Sequence, residues 1–599
     1  MTASISSDSQ FSSSESTRRR YNSFLLLVAG LGGLLYGIDV GIIGGALPYL
    51  EATSGLGPSQ LSIIVAAVLL GSVFSTLFAG LLADWLGRKP LMILSGLAFI
   101  VSIPVIALSQ GFAPLFFGRL LQGMSGGFIG IVVPLYLAEC LSSSTRGKGT
   151  GVFQWMLTLG IVAAALVGIY FSYRVNTVAH TADPAALLAF KNFAWRSIFW
   201  VSLPPGLLFV IGSLMVTESP RWLYRRHMPE KAKVALLRSR TSEQAAIELR
   251  EMENASRPAT ASGERVSDSL LRRKYVIPFL LACVILACNT ATGINSIIGY
   301  NTGILLQSGL SDLQAHWGYV LFTAVNFSFT AVGMTLVDRK GRKFLFVLGT
   351  SGIIVSLVTV GVMFLRTESH SVDLRDLIQA KVGQSQELKL QFGPKDAAAM
   401  LAAQSETGID ASRASFAVIY SYGDFTASTS YVRSDDPAAP PLNITRASCV
   451  PANKVESFFK NPFANLEAAQ TAPLKIDKAV LGSVPDAGHG WRVALGLYFF
   501  MAFYALGPGV CVWLALSELM PTRIRSNGMS IALVINQLVS TTLAGIFLPF
   551  VSKYGYSSMF FLFASFTVVY FLTAAFLLPE TKGKTLEEIE AHFEAGGTR

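Results

Sequence analysis

Charged residues are scarce in this chain. Asp, Glu, Lys and Arg make up 14% of its 599 residues, whereas a soluble domain carries about 25%. Cysteine is also rare: of the five cysteines, four lie in or beside apolar runs, so the spacing reveals no disulfide framework. These shortages exclude a soluble enzyme, a disulfide-rich secreted domain and a disordered protein.

Several functional motifs are missing as well. The sequence has no P-loop, no Gly-rich nucleotide loop, no nucleophile elbow and no metal-ligand spacing. None of the six histidines falls deep in an apolar run, so no histidine relay is predicted. We therefore expect a protein that is not an enzyme and uses no metal or cofactor, with an ion or solute gradient as its driving force in place of ATP.

Long apolar runs dominate the sequence. Hydrophobic residues make up 52% of it, and many runs reach about 20 residues, enough to cross a hydrocarbon core of ~30 Å. The sequence predicts an all-α membrane protein with twelve transmembrane helices. The predicted spans lie near 22–50, 60–83, 90–110, 114–139, 150–172, 195–216, 275–306, 317–337, 344–365, 491–517, 527–551 and 556–578.

The distribution of basic residues predicts the orientation in the membrane. The net charge is +10, and Lys and Arg cluster in alternate connections, whereas the connections 51–60 and 308–316 contain none. This asymmetry is the positive-inside pattern, so the charge indicates topology and not a nucleic-acid partner. We expect a multi-pass protein of the plasma or bacterial inner membrane with both termini in the cytoplasm.

An internal repeat predicts two six-helix bundles. The stretch Asp84-Trp-Leu-Gly-Arg-Lys returns as Asp338-Arg-Lys-Gly-Arg-Lys, and the pair Glu139/Arg146 returns as Glu518/Arg525. Such a duplication is typical of bundles related by an axis along the membrane normal. The second offset is about 125 residues longer than the first, which places an insert between spans nine and ten, on the outer side.

These features divide the chain into seven parts. The linker contains two amphipathic stretches, Pro229–Ser239 and Ser242–Glu253, that predict short helices. The predicted parts are a mobile cytoplasmic tail at 1–21, an N-terminal bundle at 22–216, a cytoplasmic linker at 217–274, helices seven to nine at 275–365, an external insert at 366–490, helices ten to twelve at 491–578 and a cytoplasmic tail at 579–599.

The insert has structure signals of its own. Val372–Phe392 shows helical periodicity, and Phe416–Val432 alternates like a β-hairpin around Gly423-Asp424. A small external domain is the favoured interpretation, and a floppy loop is the alternative.

Asp39 is the carboxylate furthest from the ends of a span. It lies between Arg20 and Glu51 on the first span, where a charge is expensive and burial favours the neutral, protonated form. Arg119, at the start of the fourth span, reaches the same outer depth. We predict a proton site in which Arg119 is the partner of Asp39, and the alternative is a permanent structural ion pair.

Neutral polar side chains on several spans predict a solute site. Amides offer donors and acceptors without charge, which suits a neutral polyhydroxy ligand, and Trp513 could stack against it. The alternative for each amide is an interhelical contact. The candidates are Gln154, Asn289, Thr290, Asn295, Asn326, Asn536 and Gln537.

Charged clusters repeat on the predicted cytoplasmic face. We predict ion pairs between the two bundles that close this face and break when it opens, and the alternative is interfacial anchoring. The residues are Asp84, Arg88, Glu139, Arg146, Glu218, Arg221, Asp338, Arg342, Glu518 and Arg525.

Together these motifs resemble the sugar porter family of the major facilitator superfamily, over about 22–590 without the insert. The resemblance implies two six-helix bundles around a central site that opens alternately to each side. It rests on Gly80-Leu-Leu-Ala-Asp-Trp-Leu-Gly-Arg-Lys, Pro134-Leu-Tyr-Leu-Ala-Glu with Arg146-Gly, Glu218-Ser-Pro-Arg-Trp-Leu, Gly293-Ile-Asn, Asp338-Arg-Lys-Gly-Arg and Pro579-Glu-Thr-Lys-Gly.

The resemblance also implies roles for single positions. Proton-coupled members have Asp at the position of Asp39, paired with the Arg that matches Arg119, whereas the animal glucose facilitators have Asn. The family's sugar-contacting positions match Gln154, Asn295, Asn326 and Trp513.

Three departures from the family pattern concern the solute. The Gln-Gln pair of helix seven is Asn289-Thr290 here, only Tyr300 remains of two tyrosines because Gly299 replaces the first, and helix eleven has Asn536-Gln537 where Trp usually stands second. These changes point away from a standard hexose and towards another sugar, a polyol or an inositol.

The sequence thus predicts a proton-coupled symporter of a sugar or polyol. Its partners would be the solute, protons and the lipid bilayer, with no nucleic acid, and it would work as a monomer with the proton as coupling ion. A facilitative uniporter with a structural Asp39 is the first alternative. A transporter-like sensor that binds sugar through the insert is the second.

Overall fold

The computed structural model is mostly helical. It describes residues 15–594 apart from 142, 181–182, 257–271, 405–407, 437–438, 440, 522–523, 583 and 585. Within this described part, eleven helical stretches are long and apolar enough to cross a membrane. The last, Arg525–Leu572, is divided at Gly555, whose backbone angles of φ 87° and ψ 163° are not helical. The chain therefore has twelve spans, as the sequence predicts.

The first six spans form the N-terminal bundle, in which α1 packs on α5 while α2 and α3 pack on α4. The sixth span is broken before Pro204-Pro205, because proline cannot continue the hydrogen-bond ladder of a helix. The helices are α1 (Glu15–Ser54), α2 (Pro58–Leu86), α3 (Arg88–Ala107), α4 (Phe112–Cys140), α5 (Ser143–Ala179), α6 (Pro184–Trp200) and α7 (Leu203–Met215).

The linker folds into three short helices, two of them where amphipathic periodicity predicts them. They are α8 (Pro220–Arg225), α9 (Pro229–Leu237) and α10 (Ser242–Ser256). The C-terminal bundle begins with α11 (Arg273–Ala291), α12 (Ile294–Gln307), α13 (Asp312–Lys340) and α14 (Arg342–Glu368). The seventh span is broken between α11 and α12 at Gly293.

The insert forms a compact α+β unit with its own apolar core, to which Phe416, Tyr422 and Leu474 contribute. Its main sheet is antiparallel with the order β1-β7-β3-β4, β5 also pairs with β3, and β2 pairs with β6. The elements are β1 (Ser371–Asp373), α15 (Arg375–Gln379), β2 (Leu388–Leu390), α16 (Pro394–Ala403), a 3-10 turn (Ala411–Arg413), β3 (Ala414–Tyr422), β4 (Phe425–Ser428), β5 (Val432–Arg433), β6 (Leu442–Ile444), α17 (Arg446–Cys449), α18 (Lys454–Lys460), α19 (Leu466–Thr471) and β7 (Leu474–Ser483).

One local prediction for the insert is right and one is wrong. The hairpin around Gly423-Asp424 is present, with Tyr422 opposite Phe425. The helix predicted over Val372–Phe392 is not, since only Arg375–Gln379 is helical there. The flanking residues pair as strands with β7 and β6, and such distant pairing overrides local periodicity.

The C-terminal bundle resumes after the insert. The tenth span is broken at Gly507-Pro508, and α22 supplies the last two spans on either side of Gly555. The elements are α20 (Ala487–Leu506), α21 (Pro508–Leu519), α22 (Arg525–Leu572), a π-helical turn (Thr573–Leu577) and α23 (Leu586–Glu594).

Two glutamates show the duplication in three dimensions. Glu218 accepts hydrogen bonds from the backbone N–H groups of Arg88 (3.0 Å) and Lys89 (3.2 Å) at the start of α3. Glu580 does the same for Arg342 (3.0 Å) and Lys343 (3.1 Å) at the start of α14. Burial raises the pKa of Glu218, against the lowering effect of these N–H donors.

A glycine with a positive φ precedes each of these capped helices. Gly87 has φ 104° and Gly341 has φ 89°, a backbone conformation that residues other than glycine rarely adopt. Each glycine lies directly against the capping carboxylate. The turn and its cap are therefore built as one unit in both halves.

The two ends of the molecule differ in how the bundles meet. We call the end that carries the insert the insert side, and the end that carries α8–α10 the linker side. Among the described residues, one continuous apolar core spans both bundles on the insert side. On the linker side each bundle has a core of its own. The structure is therefore closed on the insert side.

Candidate functional site

Asp39 and Arg119 meet inside the N-terminal bundle. α1 supplies Asp39 and α4 supplies Arg119, and their side chains are 0% and 1% exposed. The Nη1 and Oδ1 atoms are 4.0 Å apart. Neither oxygen of Asp39 has a hydrogen-bond partner in the part of the chain that the structure describes.

The surroundings of Arg119 explain this loose pairing. Its Nη1 donates to Oε1 of Gln122 at 2.6 Å, and its guanidinium lies 5.6 Å from the ring centroid of Phe199. A neutral amide and an aromatic face thus orient the cation, and Asp39 does not. Sequence reasoning missed Gln122, although its position three residues after Arg119 places both on one helix face.

A glycine leaves the space that the carboxylate occupies. A Cβ atom on Gly126 of α4 would come within 2.6 Å of Oδ2 of Asp39. Its neighbours Gly123 and Gly127 instead lie against α2, at Val68 and Ser75. This glycine-rich stretch therefore packs closely against the neighbouring helices, and one of its three glycines accommodates Asp39.

This geometry suits a group that gains and loses a proton. A charge-assisted N–H···O hydrogen bond is about 2.7–2.9 Å long, and buried charges are normally hydrogen-bonded. At 4.0 Å Asp39 has a nearby countercharge but no hydrogen bond that protonation would break. Protonation of Asp39 would therefore weaken its attraction to Arg119 without breaking a described hydrogen bond.

Several predicted solute-binding amides lie on facing helices of the C-terminal bundle. Asn295 of α12 donates to Oγ of Ser540 at 2.7 Å, and Asn289 of α11 donates to the Tyr504 hydroxyl at 3.3 Å. The Oδ1 atom of Asn289 is buried without a hydrogen-bond partner among the described residues. Both amides thus sit in polar surroundings, and Ser540 and Tyr504 are partners that sequence reasoning missed.

Other predicted solute contacts already serve packing in this conformation. The Thr290 hydroxyl donates to the backbone carbonyl of Asn536 at 3.1 Å, and the Asn536 amide donates to that of Leu286 at 2.7 Å. Tyr300 donates to the carbonyl of Ala544 at 2.8 Å. The structure places Thr290, Asn536 and Tyr300 between helices, since each satisfies a backbone carbonyl of a neighbouring span.

The remaining candidates lie on four helices: Gln154 on α5, Asn326 on α13, Trp513 on α21 and Gln537 on α22. Gln154 and Gln537 are partly buried, and Asn326 is 8% exposed and accepts from Thr330 at 3.4 Å. Trp513 is 43% exposed, which leaves its ring available for stacking. The side-chain amides of Gln154 and Gln537 make no hydrogen bond to another side chain in the described part of the chain.

An aromatic pair beside these residues was not predicted. Trp155 of α5 stacks on Phe327 of α13, with centroids 5.0 Å apart. Trp155 follows Gln154 and Phe327 follows Asn326, so the stack brings the two predicted polar residues to the same bundle interface. In the sequence, the only indication of this aromatic stack is that Trp155 directly follows the predicted site residue Gln154.

The charged clusters form one network in each half. In the N-terminal half, Arg88 is 2% exposed and binds Glu139 at 2.8 Å and Asp84 at 3.0 Å. Arg225 of α8 joins both carboxylates at 3.5–3.6 Å. In the C-terminal half, Arg342 binds Glu518 at 2.8 Å.

The gate between the two bundles stays a prediction. Each described ion pair of these clusters joins residues of one half, and on this side each bundle has an apolar core of its own. Arg221 is exposed, and the unpredicted Arg225 contacts the network in its place. The side chains of Arg146, Asp338 and Arg525 lie outside the described residues.

Comparison with known proteins identifies the family. The sequence pattern of the family described as "Sugar (and other) transporter" matches residues 25–378 and 479–593. The chain belongs to this sugar transporter family. It is a transporter and not an enzyme, and the predicted membership of the sugar porters is confirmed.

Individual relatives cover almost the whole chain. The human proton myo-inositol cotransporter is 26% identical over 591 residues, which are 96% of this chain and 82% of that protein. The probable inositol transporter 3 of Arabidopsis thaliana is also 26% identical over 591 residues, with 96% and 92% covered.

Solved structures support the same fold for this sugar transporter. The inward-open structure of the xylose transporter XylE from E. coli aligns with a TM-score of 0.61 at 20% identity, covering 94% of this chain and 98% of that chain. The predicted fold of twelve helices in two bundles is thus confirmed.

Proposed function

We propose that the protein is a symporter that carries a sugar or polyol together with protons across the cell membrane. The observation that carries this proposal is Asp39, a fully buried carboxylate that lies 4.0 Å from Arg119 and has no hydrogen bond to any residue the structure describes. A buried acid beside a cation already held by Gln122 can bind a proton in one conformation and release it in another.

The solute class follows from the polar groups of the C-terminal bundle. Amides of Asn289, Asn295 and Gln537, with the ring of Trp513, offer hydrogen bonds and a stacking face without charge, which suits a neutral solute with many hydroxyls. The names of the two inositol-transporting relatives favour a cyclic polyol over a hexose.

The transport cycle couples Asp39 to the movement of the bundles. With the insert side open, Asp39 takes a proton and its attraction to Arg119 weakens. The loaded carrier then closes on the insert side, as in the present conformation, and releases proton and solute on the linker side. The proton is the coupling ion, and no further cofactor is needed.

We also infer the orientation. Basic residues concentrate on the linker side, which by the positive-inside rule faces the cytoplasm, so both termini are cytoplasmic and the insert 366–490 is outside. The site lies within one chain, and we propose that the protein works as a monomer in the cell membrane.

The decisive experiment is uptake into proteoliposomes with an imposed proton gradient. A membrane potential of 100 mV is worth ~2.3 kcal/mol per charge, which sustains up to about 50-fold accumulation. We expect Asp39→Asn to abolish accumulation and to keep exchange of labelled solute. The matched control is Asp183→Asn, an amide change at the exposed cap of α6, which should accumulate normally.

Two outcomes would contradict the proposal. Uphill accumulation by Asp39→Asn would make Asp39 structural, and accumulation by the unmodified protein that an uncoupler does not collapse would remove proton coupling. Equilibration without accumulation in the unmodified protein would instead identify a uniporter.

A further inference from the structure

The closed insert side contains a buried histidine that sequence reasoning did not find. His316 lies in the first turns of α13 and is 0% exposed, although the sequence places no histidine deep in a span. Its ring stacks on Tyr49 of α1, with centroids 5.4 Å apart and planes inclined by 9°. Gly168 of α5 lies against the other part of the ring.

Both ring nitrogens of His316 face carbonyl oxygens. Nδ1 lies 2.9 Å from the backbone oxygen of Asp312, and Nε2 lies 3.1 Å from that of Gly45. A carbonyl oxygen only accepts hydrogen bonds, and a neutral imidazole has a single N–H. In either orientation of the ring, a neutral imidazole can donate to only one of these two oxygens, whereas an imidazolium, with two N–H groups, can donate to both.

A carboxylate balances the positive charge. Oδ1 of Asp312 lies 3.5 Å from Nδ1 of His316. The other oxygen of Asp312 accepts hydrogen bonds from Tyr49 (2.8 Å) and Ser172 (2.5 Å). Asp312 and His316 belong to the C-terminal bundle, whereas Gly45, Tyr49 and Ser172 belong to the N-terminal bundle, so this cluster spans the interface that must part for opening.

We propose that His316 is a second proton-binding site, which latches the insert side shut. Closure brings the Gly45 carbonyl to Nε2 and thereby binds a proton, and opening removes that acceptor and releases the proton. By linkage, a lower pH on the insert side favours closure. Because the proton enters and leaves on the same side, it adds nothing to the number of protons carried with each solute.

The titratable groups that face His316 are few. In the described chain, Asp312 contacts it from its own helix and Tyr49 from α1, whereas α5 presents Ser172 and Gly168, which do not titrate in this range. Further out, Arg433 donates to the carbonyls of Leu306 and Leu310, and His489 contacts that of Ser308 through one nitrogen.

The test measures closure directly and needs no solute. Spin labels are placed at Ser59 on α2 and Lys553 on α22, exposed positions at the insert-side ends of the two bundles. Pulsed EPR in nanodiscs then gives the closed-to-open ratio. The labels are introduced into Asp39→Asn protein, so that titration of Asp39 does not contribute.

We expect the closed-to-open ratio to rise about fivefold or more between pH 8 and pH 5.5, in line with ordinary coupling between sites. His316→Gln, which cannot become a cation, should lose this response. His489→Gln is the matched control and should keep it. An unchanged response in His316→Gln would overturn the proposal.

Two further measurements guard against trivial explanations. If His316→Gln fails to fold, Asp312→Asn keeps the imidazole and removes its countercharge, and it should weaken the pH response. With Asp39 intact, His316→Gln should transport with the proton-to-solute ratio of the unmodified protein. A lower proton-to-solute ratio would make His316 a coupling site and contradict the latch. If Asp39 proved not to be the coupling site, the pH dependence of closure measured by EPR would still test the latch.

Discussion

At the residue scale, the proposed function depends on how little room surrounds the carboxylate of Asp39. Asp39 lies against Gly126, and both its oxygens lack hydrogen bonds to the residues that the structure describes. A side chain at position 126 would push the carboxylate away from Arg119 or deeper into contact with the cation. Either displacement would change the proton affinity of Asp39, on which the proposed coupling depends.

Gly126→Ala tests this dependence. The added methyl group would overpack a tight site, which typically costs 1–3 kcal/mol, and we expect concentrative uptake to fall by about tenfold. Initial uptake rates at equal expression are the measurement. Gly80→Ala is the matched control, because nothing lies within 4 Å of a Cβ atom there. Equal activities of the two variants would contradict the packing argument.

Single residues also show what a sequence can and cannot predict. The depths of Asp39 and Arg119 along their spans suffice to predict their meeting, since helix rise is constant. The burial of His316 could not be predicted, because this residue lies at the edge of an apolar run and is buried only by the packing of α1 and α5 over it. Arg225 replaces Arg221 for a similar reason, as the direction of the short α8 is not readable from spacing.

At the element scale, capping glutamates hold the linker-side turns. Glu218 and Glu580 each bind two successive backbone N–H groups at the start of a span. The helix dipole favours a negative charge at this position. The segments around Glu218 and Glu580 thus form a structural repeat with a defined contact.

Glu218→Ala and Glu580→Ala should destabilise the protein to a similar extent. Each loses hydrogen bonds to a charged acceptor, worth about 1.5–3 kcal/mol, so we expect the apparent melting temperature in detergent to fall by a few degrees. Glu251→Ala, at an exposed position of α10, should leave it unchanged. An effect in only one half would mean that the two caps are not equivalent.

Elements differ in how far local sequence determines them. The spans are predictable because hydrocarbon demands about 20 apolar residues whatever lies beside them. The strands of the insert are harder to predict. β3 is recognisable because its apolar and polar residues alternate and a tight turn follows it. β1 and β2 form only by pairing with strands about 110 and 55 residues further along the chain.

At the scale of the whole molecule, the insert touches both bundles. It is part of the C-terminal bundle by connection, and its Arg433 holds carbonyls at the end of α12. Asp436, however, pairs with Lys191 of α6 in the N-terminal bundle at 3.3 Å. The insert therefore adds a contact that opening of the insert side must break.

Asp436→Asn should favour the open insert side. Partly exposed ion pairs are worth up to about 1 kcal/mol, so we expect the closed-to-open ratio from the same EPR distance to fall by no more than about fivefold, and by less in high salt. Asp477→Asn is the control, since Asp477 pairs with Lys475 inside the insert. A larger shift in the control would rule out the bridging role.

The shared core on the insert side has a kinetic consequence. An unloaded carrier that is open on the linker side must separate that core before it can bind another solute, and we expect this empty return to limit turnover. Vesicles preloaded with unlabelled solute should therefore take up label faster than empty ones if bound solute lowers the barrier to separating that core.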